Sequence, residues 1–300
     1  MTADVFRCAD AALARDEPLH GTASFVRRWL LVEQPGSWGP DALLQSGLPE
    51  RRARELRRRA REAGVRVVLI RRGVRMSSQK RRCYFLRTED CDLYLADLAL
   101  DSFDDLLDVD LSPLRDGGAI AEATQRTDPL FLVCTHGRHD ACCSIRGNQV
   151  SRVACADPDA DAWECSHIGG DRFAANLVCF PHGIYYGRVG PGEVKSLMSD
   201  YARGTISLEH YRGRCCLPFP LQAAEYFLRR ETGLVGIDDV SLMDPRSDGR
   251  VGATFALSTG AHAEVEVRVR EDGPHQLTCR AMDAKPIPRY DLVSCTLRTP

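Results

Sequence analysis

Two short apolar runs constrain this chain most: VRVVLI at 65–70 and PLFLVC at 129–134. Apolar runs of this length, flanked by turn formers, read as buried strands. Each belongs to a recurring pattern. Before the first run come FVRRWLLVE (25–33), which reads as a strand, and the turn-rich QPGSWGP. A helix is expected from about Asp41 to a break near Pro49. ERRARELRRRAREA (50–63) reads as a second helix, stopped by Gly64. Arg82–Leu86 and Asp92–Ala96 follow as a hairpin-like pair of strands, which completes a small α/β unit.

Ser112–Thr127 is polar and irregular and reads as a connection, after which the pattern restarts. PLFLVC leads through a loop into a helix over about 143–155, and Ala162–Cys165 reaches a glycine-bearing loop, HIGGD. Asn176–Phe180 and Ile184–Val189 alternate like a hairpin around Pro181-His182-Gly183. Pro191 opens a helix, and another spans about Pro220–Glu231. From Gly236 the chain reads mostly as β: Ala253–Leu257 and Ala263–Val269 alternate, and Gln276–Ala281 is a candidate further strand. With 300 residues, more than one core is the expectation. The predicted boundaries are an N-terminal α/β domain at 1–125, headed by a weakly helical leader over 1–20, a second α/β domain at 126–235, and a β-rich extension at 236–300. Both α/β units open strand–loop–helix.

A net charge of −2, from 40 basic and 42 acidic residues, excludes a global electrostatic case for nucleic acid or anionic membrane partners. The start of the chain is polar and no 18 apolar residues run together, so we expect a soluble, cytoplasmic protein. In that setting thirteen cysteines argue for reduced thiols or metal ligation rather than a disulfide framework. Six lie between 134 and 179, together with His136, His139 and His167. Cys8, Cys83, Cys91, Cys215, Cys216, Cys279 and Cys295 are scattered and read mostly as small core hydrophobes.

The segments CTHGRHDACC (134–143) and ECSHIGGD (164–171) carry the chemistry. Cys134 closes a buried strand, at the sheet edge where α/β proteins place function. Cys143 lies near the start of the next helix, where a thiolate is favoured. Cys165 and His167, two apart, would share a side if they continued the Trp163 strand. Two thiolates plus a later soft pair suit an iron–sulfur cluster or a zinc ion.

These segments, with WECSHIGGDRFAAN, HGIYYGRV, YRGRCCLPFPLQAAE, RRWLLVEQPGSWG and VRVVLIRR, resemble the sucrase/ferredoxin-like family over about residues 20–235. The resemblance implies a thioredoxin-like ferredoxin domain holding one [2Fe–2S] cluster, with two cysteines on one iron and two histidines of an H-x-G-G-H motif on the other. Cys134 and Cys143 match the cysteine pair, with Cys142 the adjacent alternative, and His167 matches the first histidine. Asp171 stands where the second histidine belongs. The fourth ligand is therefore Asp171 or Cys165, and either anion would set the reduction potential below that of a bis-histidine relative.

The function expected is one-electron transfer between a reductase-type donor and an acceptor, rather than catalysis of a reaction of its own. The alternatives are thiol–disulfide chemistry on the same scaffold, although no C-x-x-C is present, and a structural zinc site on the same residues. His136, His139 and His182 read as solvated loop or turn histidines, and Arg138 and Arg172 as surface residues. Cys215-Cys216 read as adjacent buried thiols. Seven arginines between 51 and 61 read as a solvated helix face.

Overall fold

The computed structural model of the protein describes residues 5–72, 80–89, 92–245 and 251–298; Cys91 lies outside them. A short helix, α1 (Cys8–Ala14), precedes the first α/β half. That half comprises β1 (Arg28–Glu33), α2 (Glu50–Glu62), β2 (Arg66–Arg71), β3 (Arg81–Glu89), β4 (Asp92–Leu100), α3 (Phe103–Asp108), α4 (Ser112–Asp116) and β5 (Thr124–Gln125). The second half comprises β6 (Leu130–Cys134), α5 (Ala141–Ala154), β7 (Asp161–Cys165), β8 (Leu177–Phe180), β9 (Ile184–Tyr186), α6 (Val194–Ala202), β10 (Tyr211–Arg214) and α7 (Phe219–Thr232). A four-stranded antiparallel sheet ends the chain: β11 (Val240–Pro245), β12 (Gly252–Leu257), β13 (His262–His275) and β14 (Lys285–Arg298).

Both halves lie in one ten-stranded sheet, ordered β10-β9-β8-β6-β7-β2-β1-β3-β4-β5. The halves repeat each other. β1 is parallel to β2 and antiparallel to β3, which pairs with β4. β6 is parallel to β7 and antiparallel to β8, which pairs with β9. Each half is thus a strand–helix–strand followed by a hairpin, a thioredoxin-like order that the family resemblance implied for the second half. They meet through their second strands, with Ile70 opposite Cys165 and Arg71 opposite Glu164.

Alternation along the strands separates the cores. Trp29, Leu31, Val68, Ile70, Leu130, Leu132, Cys134 and Trp163 form one apolar face that crosses the seam. Leu30, Val32 and Leu69 face α2 and α3, while Phe131 and Val133 face the side chains of α6 and the C-terminal part of α5. Cys8, Ala9 and Ala23 join the common face, so the N-terminal segment is part of the core and not a loose leader. α7 buries Ala224 and Leu228 against Phe255 and Val265 of the C-terminal sheet.

Three local expectations fail. Residues 41–48 form turns, because the Asp41 carboxylate accepts from Leu44 N at 3.2 Å and diverts the backbone into a local turn. Gln276–Ala281 is no strand but part of the long connection between β13 and β14, bent by a turn in which Ala281 N bonds Thr278 O. Ser112–Thr127 is less irregular than it reads, since it contains α4 and β5.

Candidate metal centre

Cys134 ends β6 and sits directly opposite Cys165, which ends β7. Cys143 lies in the first turn of α5, whose N-cap Asp140 accepts from Cys142 N at 2.8 Å. The approach of α5 to β6 depends on Gly147: a Cβ there would stand 2.0 Å from the Cys134 carbonyl oxygen. β7 stops at Cys165, so His167 does not continue its alternation. Ser166 N instead bonds Leu69 O across the seam, and His167 N bonds the His136 ring. Gly169 and Gly170 then take left-handed φ values of 97° and 79°. A Cβ on Gly170 would meet Arg212 Nη2 at 2.1 Å, so only glycine fits beside that guanidinium.

These turns bring the donors together in a chain of contacts. Cys134 and Cys165 close adjacent parallel strands, and the Cys134 thiol is influenced by Cys143 and Cys165. Cys143 Sγ also lies 3.1 Å from Asp171 Oδ1, and His167 Nδ1 lies 3.0 Å from the same oxygen. His167 Nδ1 is buried and, despite that proximity, completes no hydrogen bond. An inward-facing imidazole nitrogen with no partner, beside a buried carboxylate and thiols, is a donor set that fits a metal. The Cys143 and Cys165 thiols hold Cys134 well below the usual thiol range, against the opposing effect of its burial. Cys143 is pushed up instead, by its hydrogen bond to Cys134, then by burial and the negative Asp171. Burial, followed by the neighbouring Cys134, pushes Cys165 up.

Cys142 and Cys143 diverge. Cys142 turns away from Cys134 and meets Cys279 at 3.4 Å between sulfurs.

Of the two loop histidines read from sequence as solvated, His136 is buried and His139 is half-buried. His136 is 3% exposed. Its Nδ1 accepts from His167 N at 3.2 Å, so Nε2 carries the proton that it donates to Gly39 O at 2.8 Å. Burial lowers its pKa and keeps it neutral. The ring of His139 stacks on that of His167 with centroids 3.6 Å apart, and its Nε2 lies 3.7 Å from Asp171 Oδ2. Burial, then the His167 charge, lowers the His139 pKa. His182 does occupy a turn, where its Nδ1 pairs with Tyr201 OH at 2.6 Å.

Arg212 is the residue that sequence reading missed. Fully buried on β10, it donates to Gly169 O at 3.2 Å, Asn176 Oδ1 at 2.7 Å and Thr22 Oγ1 at 3.0 Å. Burial lowers its pKa to about 10, with Tyr185 and then Asp171 among the groups that oppose the shift. The YRGR segment that holds it is one of those that carry the resemblance; nothing in its spacing marked the arginine as a brace for a loop forty residues away. Arg138 is exposed, whereas Arg172 is tied to Glu17 at 2.6 Å.

The family model described as sucrase/ferredoxin-like matches residues 19–213. The chain belongs to that family. Among curated relatives, the sucrase/ferredoxin-like chain is similar to "Altered inheritance of mitochondria protein 32" of Meyerozyma guilliermondii, at 32% identity over 98 residues, covering 29% of this chain and 35% of the relative. The protein of the same name in Debaryomyces hansenii is 35% identical over 95 residues, covering 28% and 35%. The matched part is about a third of the length of these curated relatives. Among solved structures, a thioredoxin-like [2Fe–2S] ferredoxin from Aquifex aeolicus is similar at 17% identity, covering 31% of this chain and 97% of that one, with a TM-score of 0.26. A cysteine-to-serine variant of it matches at 18% identity, covering 28% and 95%, with a TM-score of 0.24. Among the described residues, no helix is long and apolar enough to cross a membrane.

Proposed function

We propose that this member of the sucrase/ferredoxin-like family is a one-electron carrier that holds a [2Fe–2S] cluster on Cys134, Cys143, His167 and Asp171. The observation that carries the reading is the contact of Asp171 with both Cys143 and His167, beside the strand ended by Cys134. Asp171 is favoured over Cys165 as fourth ligand because it touches both Cys143 and His167. Cys165 lies behind Cys134 and fully buried, where its thiol suits a hydrogen bond to the ligating sulfur. When bound, such a cluster supplies a reversible one-electron couple whose potential follows ligand charge and hydrogen bonding. The chain's own residues tune that couple. His167 contributes a neutral donor, Asp171 an anionic one, and Arg212 a fixed buried cation beneath the loop.

His167 and His139 also provide the route outward. Their side chains are 29% and 37% exposed, at the wall of a cleft of about 390 Å³ that Arg57, Arg61 and Arg66 also line. Arg66 donates to His167 O at 2.9 Å, so the basic wall is tied to a ligand loop. An anionic redox partner docking there would place its own centre beside the imidazoles. The free thiols suit a reducing compartment such as the cytoplasm.

Thiol–disulfide catalysis is disfavoured because Cys134, the acidic sulfur, is only 1% exposed and no substrate reaches it. A mononuclear ion on His139, His167 and Asp171, whose donor atoms lie within 4.8 Å of one another, is the second reading. The stacked rings count against it, since lone pairs in nearly parallel ring planes run side by side instead of converging.

Anaerobic purification tests the proposal. The expected product is red-brown, bleaches with dithionite and contains two irons and two acid-labile sulfides per chain. Colourless protein, after reconstitution with iron and sulfide, would end it.

A further inference from the structure

A second group of ligand-type side chains lies at the start of α5, in the same buried cluster as Cys134. Cys8 of α1, Cys142 of α5 and Cys279 of the β13–β14 connection come from the start, middle and end of the chain. Their sulfurs nevertheless meet: Cys142 to Cys279 at 3.4 Å and Cys279 to Cys8 at 3.6 Å. Asp140, fully buried, completes the group, its two oxygens 3.5 and 3.6 Å from Cys8 Sγ. All four donor atoms lie within 4.8 Å of one another.

We propose that Cys8, Cys142, Cys279 and Asp140 form a structural Zn²⁺ site, separate from the cluster ligands. The geometry carries it. Zinc–sulfur bonds of about 2.3 Å in a tetrahedron separate two sulfurs by about 3.8 Å, and a zinc–oxygen bond of about 2.1 Å puts oxygen about 3.6 Å from sulfur. The observed spacings fall on or just inside these edges before any ion draws them into register.

The surroundings suit charged donors. Asp140 Oδ1 accepts from Cys142 N at 2.8 Å and Oδ2 from Cys279 N at 2.7 Å, which fixes the carboxylate and leaves a lone pair on each oxygen. Cys8 N donates to Cys279 Sγ at 3.5 Å, a contact suited to a thiolate. Cys142 sits in the first turn of α5, where the helix dipole favours an anion. Cys279 is partly exposed and gives the ion a way in, while Cys8 and Cys142 are buried and keep water out. An ion there clamps α1 and the β13–β14 connection onto the helix that carries Cys143.

The test uses the full chain, purified anaerobically with reductant, dialysed against excess Zn²⁺, desalted, and analysed for zinc and iron. One zinc per chain is expected, with zinc-edge X-ray absorption reporting three sulfur neighbours and one oxygen. Cys279→Ser should lose zinc at least tenfold while keeping its iron and far-ultraviolet dichroism. Cys279→His, which exchanges one zinc donor for another, should restore the zinc. Cys134→Ser should lose iron and keep zinc, so failure of the cluster reading and failure of this one look different. Wild-type protein that holds no zinc, zinc that survives Cys279→Ser, zinc that leaves with Cys134→Ser, or a Cys142–Cys279 disulfide in the reduced preparation would each overturn the proposal.

Discussion

The two halves of the large sheet share a strand order and differ in what stands at the strand ends. In the second half β6 and β7 end in Cys134 and Cys165; in the first, β1 and β2 end in Glu33 and Arg71. Among the described residues, the first half brings no sulfur to the candidate centre. What it supplies is a carbonyl, Gly39 O, that fixes His136, a tryptophan, Trp38, against that ring at 6.0 Å, and the arginines of the cleft. One architecture is thus used twice, once with candidate ligands at its strand ends and once as a cover, as expected where chemistry resides in the residues grafted on a scaffold and not in the scaffold.

The sharpest way to break this contrast is to exchange a buried thiol in each half. Cys134→Ser should cut iron per chain by about tenfold or more. Cys83→Ser, equally buried on β3 but packed among hydrocarbons, should leave iron and visible spectrum unchanged. Next in size, Asp171→His replaces an anion by a neutral donor and should raise the reduction potential, by on the order of 100 mV, in a dye-mediated titration. A drop in potential would remove Asp171 from the ligand set.

Glycines give a smaller, graded contrast. Gly170→Ala combines a left-handed φ with collision against Arg212 and should cost about 2 kcal/mol or more in denaturant unfolding. Gly64→Ala at the end of α2, where the nearest atom is 3.5 Å from the added methyl, should cost about 1 kcal/mol, from backbone conformation alone.

Acid provides the mildest test. No histidine lies between His20 and His136, so the first half has none to protonate. In the second half, burial drives the His182 pKa down from 6.5 to about 4. The unfolded chain therefore binds a proton at higher pH than the folded one. The stabilisation is complete above pH 6.5 and is lost progressively as pH falls toward about 4. Melting temperatures should decline through that window, and His182→Phe should flatten the decline.

Much of this was legible in the sequence, for local reasons. The apolar runs, the arginine-rich helix with its Gly64 stop, and the Cys134, Cys143 and His167 positions all announce themselves within a few residues. The rest was hidden because it depends on distant partners. His139 reads as a loop residue until His167 is folded against it. Cys8 and Cys279 read as filler because 271 positions separate them. Asp171 and Cys165 read alike in sequence because their difference is tertiary: Cys165 is fully buried opposite Cys134, whereas Asp171 touches Cys143 and His167.

The seam between β2 and β7 carries one more consequence. Each of these strands shields the other's open flank through the pairs Ile70–Cys165 and Arg71–Glu164. A fragment holding every proposed cluster ligand, cut free of the first 125 residues, would present a raw β7 border ready to stick to its own copies. The first half thereby keeps the half that carries the candidate ligands from becoming the nucleus of an aggregate.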